Sequence, residues 1–235
     1  MAKERSRSTT GGRPAQITLA DIEREGRRMG LTALTVGGVA SALGVTPTAL
    51  YRHVDGKLGL ERLVGESVLA EFVLVDDPGQ DAPRYLLSLA HQLRAFALAE
   101  PGITAYLQTF FPRGESGARL QREAIESLGR RGYDPAVGAM LSGTVAQLAI
   151  SLTAAEQRHL PADDNGPLSR ELENAEEVLE SDAVLATAHG GLPNITEEDY
   201  FRMVMTACIR GLTDTATPGR PALEVLIDLG LYDQG

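Results

Sequence analysis

The sequence is poor in the residues that hold together disulfide-rich or aromatic-rich folds. Its 235 residues include one cysteine, Cys208, no tryptophan and only 5% aromatic side chains. A single cysteine cannot form an internal disulfide, so we expect a protein of the reducing cytoplasm. No apolar run of about 18 residues is evident, and no apolar stretch follows the basic N-terminus as in a secretory signal. We therefore expect no membrane segment.

Common signatures of catalysis are also missing. The chain has no phosphate loop ending in Gly-Lys-Ser/Thr, no His-Glu-x-x-His zinc motif and no Gly-x-Ser-x-Gly nucleophile elbow. Cys208 lies on an apolar helical face, which favours a place in the core over the role of a nucleophile. We expect no enzyme, no cofactor and no metal site.

Charge is distributed unevenly along the chain. The net charge is −10, but residues 1–75 carry ten Lys/Arg against eight Asp/Glu, and residues 76–235 carry twelve against twenty-four. A basic end suits a local contact with nucleic acid, while an acidic body repels phosphate and so limits non-specific adhesion.

Helical periodicity dominates what is present. Apolar residues recur at helical spacing, and no alternating strand pattern or internal repeat is found. Thr and Asp precede several apolar runs as helix caps, and glycines follow some of them as stops. The sequence predicts an all-α fold with helices over 18–30, 35–43, 46–53, 56–76, 83–98, 102–111, 117–131, 135–160, 168–186, 196–212 and 221–229.

The most informative segment is 35–57, TVGGVASALGVTPTALYRHVDGK. Ala40 is small enough for two helices to cross closely, and Gly44 can adopt the left-handed backbone that the turn between them needs. The second helix of the pair then presents short polar or basic groups, which suit base edges and phosphates in a DNA major groove. These outward residues are Thr48, Ala49, Arg52 and His53.

This segment resembles the TetR family of transcriptional regulators. Residues 50–57, LYRHVDGK, follow the family pattern Leu-Tyr-x-His-Phe-x-x-Lys, with Val54 in place of the aromatic. Gly30-Leu31, Leu34-Thr35, Ala40 and Leu43-Gly44-Val45 also fall at the family's spacing, although the first helix is about one turn shorter than usual. The match covers residues 17–65. It implies DNA contacts from Thr35, Thr46, Pro47, Thr48, Ala49, Tyr51, Arg52, His53 and Lys57.

The resemblance also implies a domain order. Residues 1–16 would be a flexible basic arm, either a solvated tail or a segment that meets DNA; 17–55 a three-helix helix-turn-helix DNA-binding domain; 56–76 a connecting helix. The turn-rich segment 76–83 marks the boundary with a helical ligand-binding and dimerisation domain, 77–235.

Family members pair through two late helices and hold a small molecule among the middle helices. By that resemblance we expect a homodimer interface in 135–160 and 197–212, at Ala139, Gly143, Ala146, Ile150, Phe201, Met205 and Ile209. The middle helices offer a mostly apolar and aromatic set that fits a ligand pocket or an ordinary core. This set is His91, Phe96, Tyr106, Phe110, Met140, Thr144 and Gln147.

Two functions are compatible with these features. The first is a ligand-responsive regulator, expected to be a repressor, that leaves a palindromic double-stranded operator when a small-molecule effector binds. The alternative is a helical small-molecule-binding protein or enzyme with a vestigial helix-turn-helix. Enrichment of a palindrome from random DNA would separate them.

Overall fold

The fold is built from α-helices. The computed structural model describes residues 17–159 and 166–232, and within these ranges it contains twelve helices and no strand. The predicted all-α class is confirmed, whereas the predicted arm at 1–16 lies outside the described residues. The helices are α1 (Leu19–Met29), α2 (Val36–Ala42), α3 (Pro47–Leu50), α4 (Gly56–Leu69), α5 (Ala82–Ala99), α6 (Ile103–Phe110), α7 (Glu115–Arg130), α8 (Pro135–His159), α9 (Pro167–Ser181), α10 (Ala183–Gly190), α11 (Glu197–Thr215) and α12 (Ala222–Asp228).

Local signals set the limits of α1. The Thr18 hydroxyl accepts a hydrogen bond from the Asp21 backbone N–H, and the Asp21 carboxylate accepts one from the Thr18 N–H. This reciprocal capping box satisfies two backbone donors at the start of the helix. The helix ends at Gly30, whose φ of 78° is a conformation that glycine adopts without steric cost. Both predicted limits are confirmed.

The turn between α2 and α3 follows the predicted chemistry. Gly44 has a φ of 67°, and the Val45 N–H donates to the Ala40 carbonyl at 2.9 Å. The second helix of the pair is shorter than predicted, because α3 ends at Leu50 instead of His53. Residues 51–54 continue as a turn in which the N–H groups of His53 and Val54 both donate to the Leu50 carbonyl.

Close packing joins these helices to α4. Leu60 and Val64 of α4 are fully buried. A Cβ added at Gly26 would lie 2.4 Å from the Cγ2 of Val64, so only glycine permits α1 to approach α4 this closely. The buried Leu50 and Val54 anchor the segment after α3 to the same core.

Helix α8 is the centre of the body. Residues Pro135–Arg158 are long and apolar enough to cross a membrane, with a mean hydropathy of 1.5, so the expectation that the chain lacks such an apolar run was wrong. Half of this apolar stretch is buried within the protein. It packs against α5, α6, α7 and α11, which identifies it as a core helix.

The predicted helix over 168–186 is two helices. Asp182 interrupts it, and its carboxylate accepts hydrogen bonds from the N–H groups of Val184 and Leu185, which caps α10. Helix α9 packs mainly on α10. The pair exposes several large apolar side chains, among them Leu168, Val178, Val184 and Leu185.

An ion-pair cluster fixes the segment 70–81, which contains no helix, to the end of α7. Asp76 accepts from Arg131, whose Nη2 lies 2.6 Å from Oδ1, and from Arg130, whose Nη2 lies 2.6 Å from Oδ2. The nearly buried Arg131 guanidinium also lies 4.3 Å from the centre of the Tyr85 ring. Hydrogen bonding to Arg131 lowers the pKa of Asp76 from 3.8 to about 2.

This lowered pKa predicts a loss of stability in acid. The ionised carboxylate stabilises the fold above the unfolded pKa of 3.8, and protonation removes this contribution as the pH falls towards 2. Wild type should lose about 1–2 kcal/mol more than Asp76→Asn over this window, as measured by urea unfolding at several pH values. Parallel stability–pH curves for the two proteins would contradict the assignment.

Candidate functional site

The segment from Thr46 to Lys57 presents unpaired polar groups at the surface. Tyr51 is 57% exposed, and Thr46, Pro47, Thr48 and Arg52 are exposed with it. In the described part of the chain, the hydroxyls of Thr46, Thr48 and Tyr51 and the guanidinium of Arg52 make no hydrogen bond or ion pair. Such free donors at the surface suit contacts with phosphates and base edges.

The remaining residues of the predicted DNA-binding set are less free. The Thr35 side chain is exposed, but its oxygen caps α2 by accepting from the Gly38 N–H at 3.0 Å. Lys57 is exposed at the start of α4, with Nζ 3.3 Å from the Glu61 carboxylate. Ala49 and His53 are half-buried.

The body encloses a small apolar cavity. Its free volume is only about 20 Å³, which is too small for a drug-sized ligand. Two polar side chains reach it: the Ser142 hydroxyl donates to the Gly138 carbonyl, and the Gln121 amide makes no hydrogen bond within the described residues. The lining residues are Phe72, Leu74, Leu89, Leu93, Phe111, Leu120, Gln121, Ala124, Ser142, Gly143 and Ala146.

The predicted ligand set does not line this cavity. His91 packs edge-on against Phe201 of α11, where burial lowers its pKa, and Phe96 packs against Phe72 with ring centres 4.8 Å apart. Met140 is partly buried beside the core. Thr144 and Gln147 lie on the exposed side of α8, since helix rotation places them away from the buried face.

Tyr106 and Phe110 instead line a larger cleft between the N-terminal helices and the body. It has a volume of about 580 Å³ and opens beside His53. The sequence analysis assigned no site to the charged residues of this cleft, because only the packing of α4 against α7 and the segment before it brings them together. The lining residues are Leu19, His53, Val54, Asp55, Gly59, Arg62, Leu63, Glu66, Tyr106, Phe110, Arg113, Gly114 and Glu115.

The predicted dimer residues point largely into their own subunit. Ala146, Ile150, Phe201, Met205 and Ile209 are all buried, because α8 and α11 pack on each other and on α5 through these faces. Gly143 and Ala146 border the body cavity, and Ala139 is half-buried. Their place in a dimer interface stays a prediction, and within one subunit most of them lie on the inner faces of the two helices. Their outer faces carry Thr144, Gln147, Leu148, Ser151, Tyr200, Met203, Ala207 and Arg210.

Metal-binding clusters are not found in the described residues, where no three His, Cys, Asp or Glu side chains are grouped to hold an ion. Cys208 is a free, half-buried thiol whose pKa is raised by burial.

Comparison with known proteins identifies solved structures with a similar architecture. No protein-family model and no curated protein sequence matches the chain. Among solved structures, apo ActR from Streptomyces coelicolor is similar with a TM-score of 0.70 and 19% identity, covering 86% of this chain and all of ActR. ActR, described as a TetR family protein, has the same values in its complex with actinorhodin.

A second relative is a TetR variant from Acinetobacter baumannii AYE in complex with minocycline. It has a TM-score of 0.57 and 18% identity, and the match covers 85% of this chain and 96% of the relative. The structural neighbours are therefore TetR family transcriptional regulators over about 85% of the chain, and this protein has the TetR-family fold.

Proposed function

We propose that the protein is a homodimeric, ligand-responsive transcriptional regulator that binds a palindromic operator and is released from it by a small molecule. The single observation that carries the proposal is the exposed segment 46–57, whose hydroxyl and guanidinium groups lack partners in the described part of the chain. A buried pair, Leu50 and Val54, anchors this segment on a helical core. Neither feature is needed by an isolated ligand carrier.

Two copies are needed because one short recognition helix makes few base contacts. A two-fold dimer can read half-sites separated by roughly 34–36 Å. Support for pairing comes from the outer faces of α8 and α11, and from apolar side chains that α9 and α10 leave exposed in one copy. A monomer rarely exposes so many large apolar side chains without a partner.

Effector binding would act by shifting a conformational population. The body cavity of about 20 Å³ must expand to admit a ligand, so a ligand there would favour a state other than the one described. Small molecules bound by ActR and by the TetR variant support a ligand site in this body. The Gln121 amide is the polar group that an otherwise apolar ligand would meet.

Selection of fragments from genomic DNA tests the DNA-binding role. We expect enrichment of a palindrome and an affinity that falls steeply with rising salt. Lys57→Ala should weaken binding by about tenfold and reduce the salt slope by about 1, since it removes one phosphate contact.

Arg84→Ala is the matched control. Arg84 is an exposed cation in the first turn of α5. Helix α5 follows the C-terminal end of α4, whereas Lys57 lies at the N-terminal end of α4. A helix of 14 residues separates the two ends by about 20 Å, so this variant should bind DNA as wild type does. No enrichment at low salt, or equal affinities for Lys57→Ala and wild type, would contradict the proposal; the first result would favour a ligand-binding protein with a vestigial helix-turn-helix.

A further inference from the structure

We propose that the cleft between the N-terminal helices and the body is a second small-molecule site, for a planar aromatic compound that carries both an acidic and a basic group. The volume of about 580 Å³ falls in the usual range for ligand sites, whereas the body cavity offers about 20 Å³. The two spaces share no lining residue.

The cleft has an aromatic wall. The Tyr106 and Phe110 rings stack with their centres 5.3 Å apart and their planes 29° apart, and Leu63 adds apolar surface from α4. A planar ring can pack on such a wall by offset stacking.

A hydrogen-bond network holds that wall in place. The Glu66 carboxylate accepts from the Tyr106 hydroxyl and, at 2.8 Å, from the Ser116 N–H. Burial, together with this carboxylate, raises the pKa of Tyr106, so the phenol stays neutral as a donor. A Cβ added at Gly65 would lie 2.3 Å from the Tyr106 ring, so α4 and α6 are in close contact beside the cleft. Glu66 is thus occupied within the protein and is not the ligand's partner.

Charges of both signs remain unpaired. In the described part of the chain the guanidinium groups of Arg62 and Arg113 form no ion pair or side-chain hydrogen bond, and neither do the carboxylates of Asp55 and Glu115. Guanidinium binds a carboxylate with two parallel hydrogen bonds, and carboxylates bind an ammonium group. A ligand with one charge would meet repulsion from half of this set, whereas a zwitterion would satisfy both signs.

Titration with three indoles tests the site on the full chain without DNA. The probes are L-tryptophan, which carries both charges, indole-3-propionate, which carries only the acid, and tryptamine, which carries only the amine. Because the protein contains no tryptophan, indole fluorescence reports the probe alone. We expect L-tryptophan to bind at least about tenfold more tightly than either singly charged probe.

Substitutions assign the charges. Arg113→Gln should weaken L-tryptophan and indole-3-propionate by about tenfold and leave tryptamine unweakened, and Glu115→Gln should weaken L-tryptophan and tryptamine instead. Both side chains are exposed, so folding should not be affected. Gln121→Leu, in the body cavity, should leave all three affinities unchanged.

Three results would overturn the inference: no binding of any indole, affinities unaffected by both charge substitutions, or loss of binding in Gln121→Leu. His53 belongs both to the cleft and to the predicted DNA-binding set, so a ligand in the cleft would also affect DNA binding. This effect on DNA binding rests on the proposed function. Since binding is measured without DNA, failure of the DNA-binding role leaves this test intact, and the reverse also holds.

Discussion

Replacing Arg94 with alanine should lower the free energy of unfolding by about 3–5 kcal/mol. Arg94 of α5 and Glu156 of α8 form a two-point ion pair, with Nε–Oε2 at 2.9 Å and Nη2–Oε1 at 2.7 Å. The side chains are only 13% and 11% exposed. Removal of the guanidinium leaves the Glu156 carboxylate without its counter-ion in a site that water barely reaches. An unpaired buried charge of this kind strongly destabilises the folded state.

Urea unfolding measures this loss, and an exposed ion pair provides the control. Arg202 and Asp199 of α11 lie 2.6 Å apart, but Arg202 is 60% exposed. Arg202→Ala should cost about 0.5 kcal/mol or less, because solvent already screens this pair. The double variant Arg94→Met, Glu156→Leu should be more stable than Arg94→Ala, since it leaves no buried charge. Equal losses in Arg94→Ala and Arg202→Ala would contradict this account.

Thr48→Glu should reduce operator affinity by at least about 100-fold. Thr48 lies in α3, and its exposed hydroxyl makes no hydrogen bond within the described residues. In the proposed complex a carboxylate at this position would face the DNA phosphates. Repulsion between the two negative charges would then replace the contact that the Thr48 hydroxyl makes. Stability should hardly change, because an exposed side chain of the short helix α3 contributes little to the core.

Gel-shift titration at fixed salt measures this affinity, with Thr217→Glu as the control. That variant carries the same added charge on an exposed threonine in the turn after α11, and it should bind the operator within about twofold of wild type. If both variants lose the same affinity, the effect comes from net charge and α3 does not enter the groove.

Local chemistry made the N-terminal helices predictable. Thr18 and Asp21 form a capping box within four residues, and Gly44 adopts the left-handed turn that its sequence position requires. Interactions between residues so close in the chain persist in any context that allows a helix. The end of α3 at Leu50 was not predictable in this way, since the bonds of His53 and Val54 to the Leu50 carbonyl depend on Val54 reaching the core.

Periodicity could not assign the faces of α8. Residues 139, 143, 146 and 150 form one stripe, and residues 144, 147, 148 and 151 form its neighbour, and both contain small or mildly polar side chains. Either could face a partner by composition. The packing of α5, α7 and α11 buries residues 146 and 150 of the first stripe and leaves 144 and 147 of the second exposed, while the other four are half-buried.

Thus the residue order alone was sufficient for the helical class, for the caps and turns of the N-terminal unit and for its exposed polar segment, because short-range hydrogen bonds and backbone sterics control these features. Tertiary packing decided which side of each long helix is buried, joined Arg94 to Glu156 across 62 positions, and enclosed the cleft around Tyr106. These features depend on contacts between residues far apart in the chain, and no local pattern encodes which distant surfaces meet.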